Sequence, residues 1–391
     1  MNIIIHRGTH QIGGSAIEIS TASTRIILDF GNELSLDEKY TPINLDIDGV
    51  TKGILDCDGI VISHYHMDHL GQLTSALPEI PLYMGELSKE VAMIATEHQD
   101  KDLYLRLLDA NTFRGGEAFT IGNIHIRPLV IDHSAVDSYM FVIESEGKRV
   151  LYTGDFRMHG VRGHVLEKLI RTYIGDVDVL ITEGTSLSRN AHDGISEREV
   201  LDDISSYIQD GKYVFVMCSS TNIDRIMEIW HNMPTDKVLI CDAYQKRILD
   251  TVIDNVYYDS TLYRRPDSPL VLDIGAYPKY YMDNGFVSLA RGTENYISEI
   301  KKFPKDDVRI IYSMWIGYIE ENLALKTLLE TYPIYICHAS GHVSKDDLIK
   351  FIELVNPDVI IPVHTDNPEN LEKIASHRSI YVVDDNEPFI I

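Results

Sequence analysis

The chain has 391 residues, of which 44% are hydrophobic and 24% are charged, as expected for a globular protein of two domains or of one domain with a large insertion. Its formal net charge of -25 argues against broad electrostatic attraction to nucleic acid or to anionic lipid. No stretch approaches the roughly eighteen uninterrupted apolar residues of a membrane helix, and the N-terminus lacks the pattern of a signal peptide.

The four cysteines are widely spaced, and each lies in or beside an apolar run: Cys57, Cys218, Cys241 and Cys337. They form no Cys-x-x-Cys pair. This pattern predicts reduced core thiols of a cytoplasmic protein, and it argues against a disulfide framework or a thiolate metal site.

Short apolar, β-branched runs that end in polar clusters recur along the chain. Four to six apolar residues between turn formers predict buried strands. In chain order these runs lie at 25–31, 59–69, 149–157, 178–186, 213–221, 237–243, 309–313, 334–342 and 358–366. Two segments, 16–31 and 139–155, predict hairpins, with turns near Ala22-Ser23 and Glu146-Gly147.

Helical apolar patterns lie between many of these strands, at 86–98, 196–210, 221–233 and 344–355. Ser196 and Ser344 are each followed by acidic residues, as helix N-caps often are. The early part of the chain mixes hairpins with helices, whereas about 190–330 alternates helix and strand more regularly. The sequence therefore predicts a layered α/β body with an α/β insertion.

The stretch 61–73, VISHYHMDHLGQL, places three histidines and an aspartate within six positions behind an apolar run. Extended backbone would put His64 and His66 on one face, and Asp68 and His69 follow where the chain turns into the next helix. Imidazole and carboxylate are the usual zinc ligands after thiolate, and a site with three protein ligands leaves a position open for water. We therefore predict a metal site here and not a solvated polar loop.

Three further ligand-type residues follow predicted strands, namely His133, Asp155 and His364. Taken singly, each also fits a capped loop or a turn, because Asp and His are common at strand ends. Together with the histidine motif, they become the first choice for the additional ligands of a dinuclear site.

The stretch SHYHMDHLG resembles the His-x-His-x-Asp-His signature of the metallo-β-lactamase superfamily. Later motifs, in order along the chain, are similar to those of its β-CASP branch, the nucleases that include ribonuclease J: GDFR (154–157), EGT (183–185), HASGH (338–342) and PVH (362–364). The resemblance covers essentially the whole chain. It implies an α/β protein with a metallo-β-lactamase αββα sandwich, formed by 1–190 and 333–391, and an inserted α/β β-CASP domain, 191–332.

Two departures from the family pattern stand out. Thr365-Asp366 follow the last motif histidine where the family usually has Gly-Glu, so the residue that supports His364 is left open. We also expect no counterpart of the C-terminal dimerisation domain of full-length ribonuclease J.

The resemblance implies two divalent ions held by seven side chains: His64, His66 and His133 for one ion, Asp68, His69 and His364 for the other, and Asp155 as the bridge between them. The ligand types favour zinc, while manganese fits where carboxylates share the site. Asp29, which follows the apolar run RIIL, would orient a ligand imidazole, although it also fits a turn residue that closes a hairpin.

The predicted catalytic residues are Asp68, Glu183 and His342, and the resemblance favours His342 as the group that protonates the leaving oxygen. His338 and Ser340 flank a turn that can bind an anion, so we predict that they contact a substrate phosphate. An ordinary strand-to-helix turn is the alternative. Ser220, in a hydroxyl-rich turn before a helix, is predicted to do the same or to cap that helix only.

Two other features are weaker indications of nucleic-acid binding. The aromatic stretch 276–286 could stack unpaired bases, or its tyrosines could be ordinary interface residues. The basic residues near the second hairpin, Lys148, Arg149, Arg157 and Arg162, also fit a hairpin turn.

We therefore predict a cytoplasmic metal-dependent hydrolase that cleaves single-stranded RNA with a water activated by two metal ions, the strand lying between the two domains. One alternative is a hydrolase of DNA or of a small phosphodiester, which the acidity of the chain keeps open. The other is a non-catalytic scaffold, which the complete ligand set disfavours. No membrane partner is expected, and the oligomeric state is left open.

Overall fold

A computed structural model of the chain describes residues 1–34, 43–188, 195–258, 261–264, 267–273 and 275–391. These residues form two compact units. The first unit contains the described residues up to 188 together with 341–391, and the second contains those between 195 and 340. Within these ranges, every helix is too short or too polar to span a bilayer.

The strands of the described residues are β1 (Asn2–Arg7), β2 (Ala16–Ser20), β3 (Arg25–Leu28), β4 (Gly59–Ile62), β5 (Leu82–Gly85), β6 (Asn111–Phe113), β7 (Phe119–Ile121), β8 (Ile124–Ile131), β9 (Ser138–Ser145), β10 (Lys148–Tyr152), β11 (Val179–Glu183), β12 (Tyr213–Met217), β13 (Leu239–Cys241), β14 (Leu270–Val271), β15 (Phe286–Ala290), β16 (Val308–Tyr312), β17 (Ile334–Ile336), β18 (Val359–Val363) and β19 (Pro388–Ile390).

The α-helices are α1 (Met67–Leu70), α2 (Glu86–Thr96), α3 (Lys101–Leu108), α4 (Leu166–Leu169), α5 (Glu197–Asp210), α6 (Ile223–Asn232), α7 (Ala243–Asn255), α8 (Lys279–Asn284), α9 (Glu294–Ile300), α10 (Gly317–Glu321), α11 (Leu323–Thr331), α12 (Lys345–Val355) and α13 (Glu369–Ile374). A π-helical turn, Ile170–Ile174, continues α4.

Two sheets form the centre of the first unit. One has the strand order β19-β1-β2-β3-β4-β5-β6, and the other has the order β18-β11-β10-β9-β8-β7. Side chains of both sheets, such as Ile17 and Phe141, share one hydrophobic core. Helix α2 packs on β5 of the first sheet, and α12 packs on the second sheet through Phe351. The unit is therefore the predicted αββα sandwich.

The central strands of the sandwich are buried on both faces. In β11 the adjacent residues Leu180 and Ile181 belong to different cores, the first beneath the helices and the second between the sheets, because strand side chains alternate between faces. A strand covered on both faces needs apolar residues at every position. This is the reason that such strands appear in the sequence as continuous apolar runs.

The second unit is built on one six-stranded sheet with the order β14-β13-β15-β12-β16-β17. Every pairing in it is parallel, and parallel neighbours need a crossover, usually a helix, between them. Phe215, Ile310 and Leu328 lie in its core. The prediction of an α/β insertion is confirmed.

Local predictions from turn and capping chemistry are confirmed as well. Strands β9 and β10 form an antiparallel hairpin whose turn residues Glu146 and Gly147 have φ of 53° and 74°, as in the primed turns that suit hairpins. The Ser196 hydroxyl accepts a hydrogen bond from the backbone of Glu199 and caps α5. Ser344 caps α12 in the same way.

One predicted domain boundary differs from the structure. Strand β17 pairs with β16 in the sheet of the second unit, so residues 333–340, predicted to open the return segment, lie with the second unit. A short apolar run predicts a strand but does not say which neighbour it pairs with. The other predicted boundary, between 190 and 191, lies outside the described residues.

All four cysteines are buried and free. Burial raises the pKa of the Cys57, Cys218 and Cys337 thiols to about 11 and that of Cys241 to about 12. The thiols are therefore protonated at neutral pH, as expected for core residues and not for thiolate ligands.

Candidate metal centre

The histidine motif lies where β4 ends and α1 begins. Residues 63–66 lead from the strand into the helix, and Asp68 and His69 on the helix are buried. Gly31, which follows β3, packs directly against this helix: a Cβ at that position would lie 1.6 Å from the carbonyl oxygen of Asp68. Only glycine allows the two main chains to approach so closely.

Three imidazoles from two strand ends converge in a first group of ligand atoms. His64 Nε2 lies 3.1 Å from His66 Nδ1, and His133 Nε2 lies 3.2 Å from the same atom. His64 and His133 are buried. The three rings thus direct nitrogens at one small region.

The remaining nitrogens of His64 and His133 are held by the protein. The Ser63 hydroxyl donates to Asp29 Oδ2 at 2.7 Å, so its oxygen accepts the Nδ1 proton of His64 at 3.0 Å. His133 Nδ1 donates to the Gly341 carbonyl at 2.6 Å. Both rings therefore carry their proton on Nδ1, and both Nε2 lone pairs face His66.

The three rings are neutral at pH 7. Burial, together with the neighbouring histidines, holds the pKa of His64 and of His133 well below the ordinary value. Burial also lowers the pKa of His66 to about 4. Lone pairs of neutral imidazoles directed at one region repel each other unless a cation lies between them, so this donor set fits a divalent metal ion.

A second group of ligand atoms contains two histidines and two aspartates that lie far apart in sequence: Asp68, His69, Asp155 and His364. His69 Nε2 lies 3.2 Å from Asp155 Oδ2, and His364 Nε2 lies 3.2 Å from Asp68 Oδ2. Within each group the ligand atoms all lie within 4.8 Å of one another. The ring centroids of His64 and His69 are 4.1 Å apart, so the two groups adjoin.

Asp155 gives a further sign that the second group suits a cation. Its Oδ1 atom is buried and has no hydrogen-bond partner in the described part of the chain. A buried carboxylate oxygen without a donor is costly. A positive ion beside it would remove that cost.

The aspartates of this group are ionised at pH 7. Burial alone would raise their pKa values, but the neighbouring imidazoles outweigh it and hold the pKa of Asp155 well below its usual range. The same two opposing effects lower the pKa of Asp68. Burial would also lower the pKa of His69, but the three nearby carboxylates raise it well above the ordinary value. The carboxylates are thus charged, as metal ligands must be.

Asp29 lies behind both groups. Its carboxylate accepts from the backbone N–H and the hydroxyl of Ser63 at 2.6 and 2.7 Å, from His69 Nδ1 at 2.8 Å and from the Tyr152 hydroxyl at 2.6 Å. Through Ser63 and His69 it orients one imidazole of each group. The sequence predicted that Asp29 supports a single ligand, whereas in the structure it serves two.

Thr185, the last residue of the EGT motif, supports His364. Its hydroxyl donates to the carbonyl of His364 at 3.2 Å and lies 2.8 Å from Nδ1 of the same ring. Because the hydroxyl proton is used on the carbonyl, Nδ1 donates to the hydroxyl oxygen, and Nε2 is left to face Asp68. Thr185 is therefore the residue that orients the His364 ring, a role that the sequence left unassigned because Thr365-Asp366 replace the usual Gly-Glu.

Glu183 and His342, both predicted to be catalytic, lie together beside the second group. Glu183 Oε2 accepts from His342 Nδ1 at 3.0 Å, and Oε1 accepts from the backbone of Phe156 at 2.9 Å. The His342 side chain is 20% exposed, and its Nδ1 lies 3.5 Å from Asp155 Oδ2. The glutamate thus holds the His342 ring through Nδ1.

The three predicted phosphate contacts, His338, Ser340 and Ser220, belong to the second unit. His338 and Ser340 are half-buried. Ser220 is 8% exposed, and its hydroxyl accepts from Gln245 at 3.4 Å. The hydroxyl of Ser220 is thus engaged within the unit.

The weaker nucleic-acid indications are largely explained by folding. Arg157 is fully buried, and its guanidinium donates to Asp132 at 2.7 Å. In the aromatic stretch, Tyr277 stacks on buried Phe286 with centroids 4.8 Å apart, and Tyr280 is 67% exposed. Arg157 and Tyr277 therefore stabilise the fold, whereas Tyr280 lies on the surface.

The sequence did not predict four groups that hold the candidate ligand rings or Asp29: the Ser63 hydroxyl, the Tyr152 hydroxyl, the Thr185 hydroxyl and the Gly341 carbonyl. Ser63 and Thr185 were weakly indicated, since Ser63 begins the stretch SHYHMDHLG and Thr185 ends the EGT motif. A backbone carbonyl has no sequence signal, because every residue has one.

Two family models match the chain. The Beta-lactamase superfamily domain matches residues 25–211. The Zn-dependent metallo-hydrolase RNA specificity domain matches residues 334–377. The first match contains the histidine motif, His133 and Asp155, and the second contains His342 and His364.

Curated relatives include ribonuclease J of Sinorhizobium meliloti, 22% identical over 342 residues, with 78% of this chain and 57% of the relative covered. Ribonuclease J of Mycoplasma pneumoniae is 22% identical over 390 residues, with 91% and 66% covered. An RNase J-like protein of Methanocaldococcus jannaschii is 27% identical over 223 residues, with 54% and 49% covered. The chain therefore spans between about half and two thirds of the length of these relatives.

Among solved structures, the crystal structure of a protein of unknown function from Enterococcus faecalis V583 has the same fold. Its TM-score is 0.82 at 18% sequence identity, with 100% of this chain and 99% of that chain covered.

The two matches, 25–211 and 334–377, leave out most of the second unit, whose residues interrupt those of the sandwich in the sequence as a β-CASP insertion does. Residues 25–211 thus form a domain of the metallo-β-lactamase superfamily, and the order of segments along the chain resembles that of the β-CASP branch. Within that branch the chain resembles ribonuclease J, after which its curated relatives are named.

Proposed function

We propose that the protein is a metal-dependent hydrolase that cleaves phosphodiester bonds in single-stranded RNA. The observation that carries the proposal is the pair of adjoining ligand groups, in which His64, His69, His133 and His364 each direct Nε2 inward and have Nδ1 held from behind. The names of the curated relatives and the matched RNA specificity domain support RNA as the substrate class.

For the metals, we assign one ion to the first group and one to the second, with Asp155 between them. Zinc suits a set dominated by imidazole nitrogen. When bound, two divalent ions would stabilise negative charge on the phosphoryl group and make a water more acidic.

The side chains divide the remaining work. Asp29 and Thr185 keep the ligand rings in one orientation, as the outer partners of metal-binding histidines do. Glu183 holds His342 by Nδ1, and His342 donates a proton from Nε2 to the leaving oxygen. His338 and Ser340 contact a phosphate of the strand.

The test uses purified protein loaded with zinc or manganese. The substrates are 5′-monophosphorylated single-stranded RNA, single-stranded DNA of the same sequence and bis-nitrophenyl phosphate. We expect RNA cleavage that a chelator abolishes and that His133→Ala lowers by at least about 10²-fold. His125→Ala, which changes an exposed histidine of β8, the strand that precedes His133, is the matched control and should retain activity.

Turnover of the nitrophenyl ester alone would replace RNA by a small phosphodiester as the substrate. Cleavage of DNA in preference to RNA would change the nucleic acid. Full metal content without any turnover would favour a non-catalytic scaffold.

A further inference from the structure

Arg225, on helix α6 of the second unit, is a buried cation. Its side chain has no exposed surface. Glu197, at the start of α5, binds the guanidinium through both carboxylate oxygens, one to Nε at 3.0 Å and the other to Nη2. A two-point contact of this kind fixes the plane of the guanidinium as well as its position.

The other N–H groups of Arg225 are directed at two segments that follow strands. Nη1 donates to the carbonyl of Ser313 at 3.0 Å, just after β16, and Nη2 donates to the carbonyl of Ala339 at 2.9 Å, just after β17. The Ser313 hydroxyl donates to the carbonyl of Cys337 at 2.6 Å. One buried side chain thus ties the HASGH segment to the end of the neighbouring strand.

Arg225 Nη1 also donates to the Ser313 hydroxyl at 3.3 Å. A further contact of Nη1 sets the proton position on His338. Nη1 lies 3.2 Å from His338 Nδ1. A guanidinium has five donors and no acceptor, so Nδ1 must be the acceptor and carries no hydrogen. The single proton of the neutral ring is therefore on Nε2.

We infer that Arg225 is a positioning residue for substrate binding: it holds His338 as the Nε2–H tautomer, so that the ring donates a hydrogen bond to a phosphate oxygen of the RNA. This inference rests on the proposed function, because it takes a phosphodiester strand as the ligand. In this tautomer the neutral His338 ring already carries a hydrogen on Nε2, so it can donate to a phosphate oxygen without becoming an imidazolium. Lysine in place of Arg225 would keep the charge but lose the fork that reaches Glu197, two carbonyls and His338 together.

The tautomer can be measured without activity. Nitrogen-15 spectra of metal-loaded protein with labelled histidine should contain, for His338, an unprotonated Nδ1 and a protonated Nε2. His338→Ala identifies its signals among those of the 16 histidines by their loss. In Arg225→Lys the Nδ1 signal should move toward the protonated form, while Arg291→Lys, a half-buried arginine paired with Asp242 in the same unit, should leave it unchanged.

A protonated Nδ1 in the unaltered protein, or the same His338 spectrum in Arg225→Lys, would overturn the inference. Circular dichroism and metal analysis establish that each variant is folded and loaded.

Kinetics on 5′-monophosphorylated RNA give the second arm. Arg225→Lys should raise KM about 10-fold with little change in kcat, because substrate binding and not the chemical step is affected. In a His338→Ala background the same substitution should add no further increase, since its effect passes through that ring. Additive increases in KM would mean that Arg225 acts through the fold and not through His338.

Should Arg225→Lys fail to fold, two variants of His338 still decide. Glutamine can accept from Arg225 with its oxygen and donate with its nitrogen, so His338→Gln should raise KM less than His338→Leu. Equal increases would refute the donor role. If the unaltered protein cleaves no RNA with any divalent metal, the proposed function fails, while the spectra still decide whether Arg225 sets the tautomer.

Discussion

At the scale of single residues, the candidate metal centre is defined by how protons are placed. His64, His133 and His364 each have Nδ1 bound to a protein oxygen, and that contact leaves Nε2 directed into its group. The oxygen belongs to serine, to a backbone carbonyl and to threonine, respectively. The same chemical requirement is therefore met by three unrelated groups.

Asp155→Ala should remove at least one of about two metal ions per chain. The substitution deletes the buried carboxylate whose Oδ1 has no hydrogen-bond donor in the described part of the chain and whose Oδ2 faces His69. Metal analysis by mass spectrometry of protein purified without chelator checks this. Asp366→Ala, which changes an exposed aspartate, is the control, and full occupancy in Asp155→Ala would contradict the bridging assignment.

His342→Ala and His364→Ala should fail differently. His364 is an assigned ligand, so metal content and activity should fall together. His342→Ala should keep both ions and slow RNA cleavage by about 10²–10⁴-fold, the usual effect of losing a general acid. Metal content and kcat of both variants are the measurements.

A nitrophenyl phosphodiester separates proton donation from phosphate positioning in His342→Ala. Its leaving oxygen is already a weak base and needs no proton, so the defect should be smaller on this substrate. An equal defect on both substrates would mean that His342 positions the phosphate.

At the scale of elements, strand ends supply the site, and two of them end in unusual backbone. Asp29 after β3 and His364 after β18 have φ of 57° and 54°, a left-handed conformation that costs about 1–2 kcal/mol for a residue with a Cβ. The His364 N–H donates to the Gly8 carbonyl at 2.7 Å, which helps to hold the turn. Each of the two turns thus lies at the end of a strand, one carrying a candidate ligand, His364, and the other the carboxylate that orients two rings, Asp29.

Gly31→Ala should destabilise the protein by about 3 kcal/mol or more, because the added Cβ would overlap the Asp68 carbonyl and push the two main chains apart. Metal content should fall with stability, since α1 carries Asp68 and His69. Urea unfolding followed by circular dichroism is the measurement. Gly292→Ala, whose Cβ would meet a Leu325 methyl at 3.4 Å and Asn322 Nδ2 at 3.9 Å, should be near neutral. Equal midpoints for the two variants would contradict the packing argument.

Glu18 on β2 should stabilise the first sheet in a pH-dependent way. Its carboxylate contacts Arg25 of β3 at 2.7 Å and His6 of β1 at 3.0 Å. Burial alone would raise the pKa of Glu18, but these two partners outweigh it and lower the pKa from 4.5. A lowered folded-state pKa gives stability that is complete above 4.5 and is lost as the pH falls through the folded-state value.

Glu18→Gln should therefore reduce the free energy of unfolding by about 1–3 kcal/mol at pH 7. The difference from the unaltered protein should shrink as the pH falls below 4.5. The measurement is urea unfolding between about pH 3 and 7, a range that includes the unfolded-state pKa. A difference that stays constant over this range would show that the carboxylate charge is not what stabilises the sheet.

At the scale of the whole molecule, the acidity of the chain limits how it can bind a polyanion. With a net charge of -25, attraction must come from a few local contacts and from bound metal ions, while the rest of the surface repels RNA. Binding of single strands weakens with salt by about 0.7 log unit per phosphate contact for each log unit of salt.

The salt dependence of RNA binding should therefore be shallow, with a slope of about -2 to -3 in a plot of log affinity against log salt, as expected for three or four phosphate contacts. Fluorescence polarisation with metal-loaded His342→Ala, which should bind RNA without cutting it rapidly, gives the slope. A slope steeper than about -5 would mean an extended basic surface and would contradict the prediction.

The sequence alone predicted many of the strands and helices and the residue types that converge in the two groups. Buried strands covered on both faces are apolar at every position, so runs such as 178–186 predicted β11, and Ser196 and Ser344 predicted two helix starts. These are local signals, because apolar periodicity, turn chemistry and capping depend on residues only a few positions apart. The histidine motif belongs with them, since its ligands lie within six positions.

Only the tertiary structure decided what supports those ligands. Thr185 lies 179 residues from His364, and Gly341 lies 208 residues from His133, while Arg225 reaches His338 across 113 residues. Thr185 and His364 meet because the parallel neighbours β11 and β18 place their ends at one edge of a sheet. The other two pairs likewise join segments that only the folded chain brings together. A hydroxyl, a carbonyl or a guanidinium acquires its role from the tertiary structure. Its neighbours in the sequence do not indicate its partner, because the partner is more than one hundred residues away.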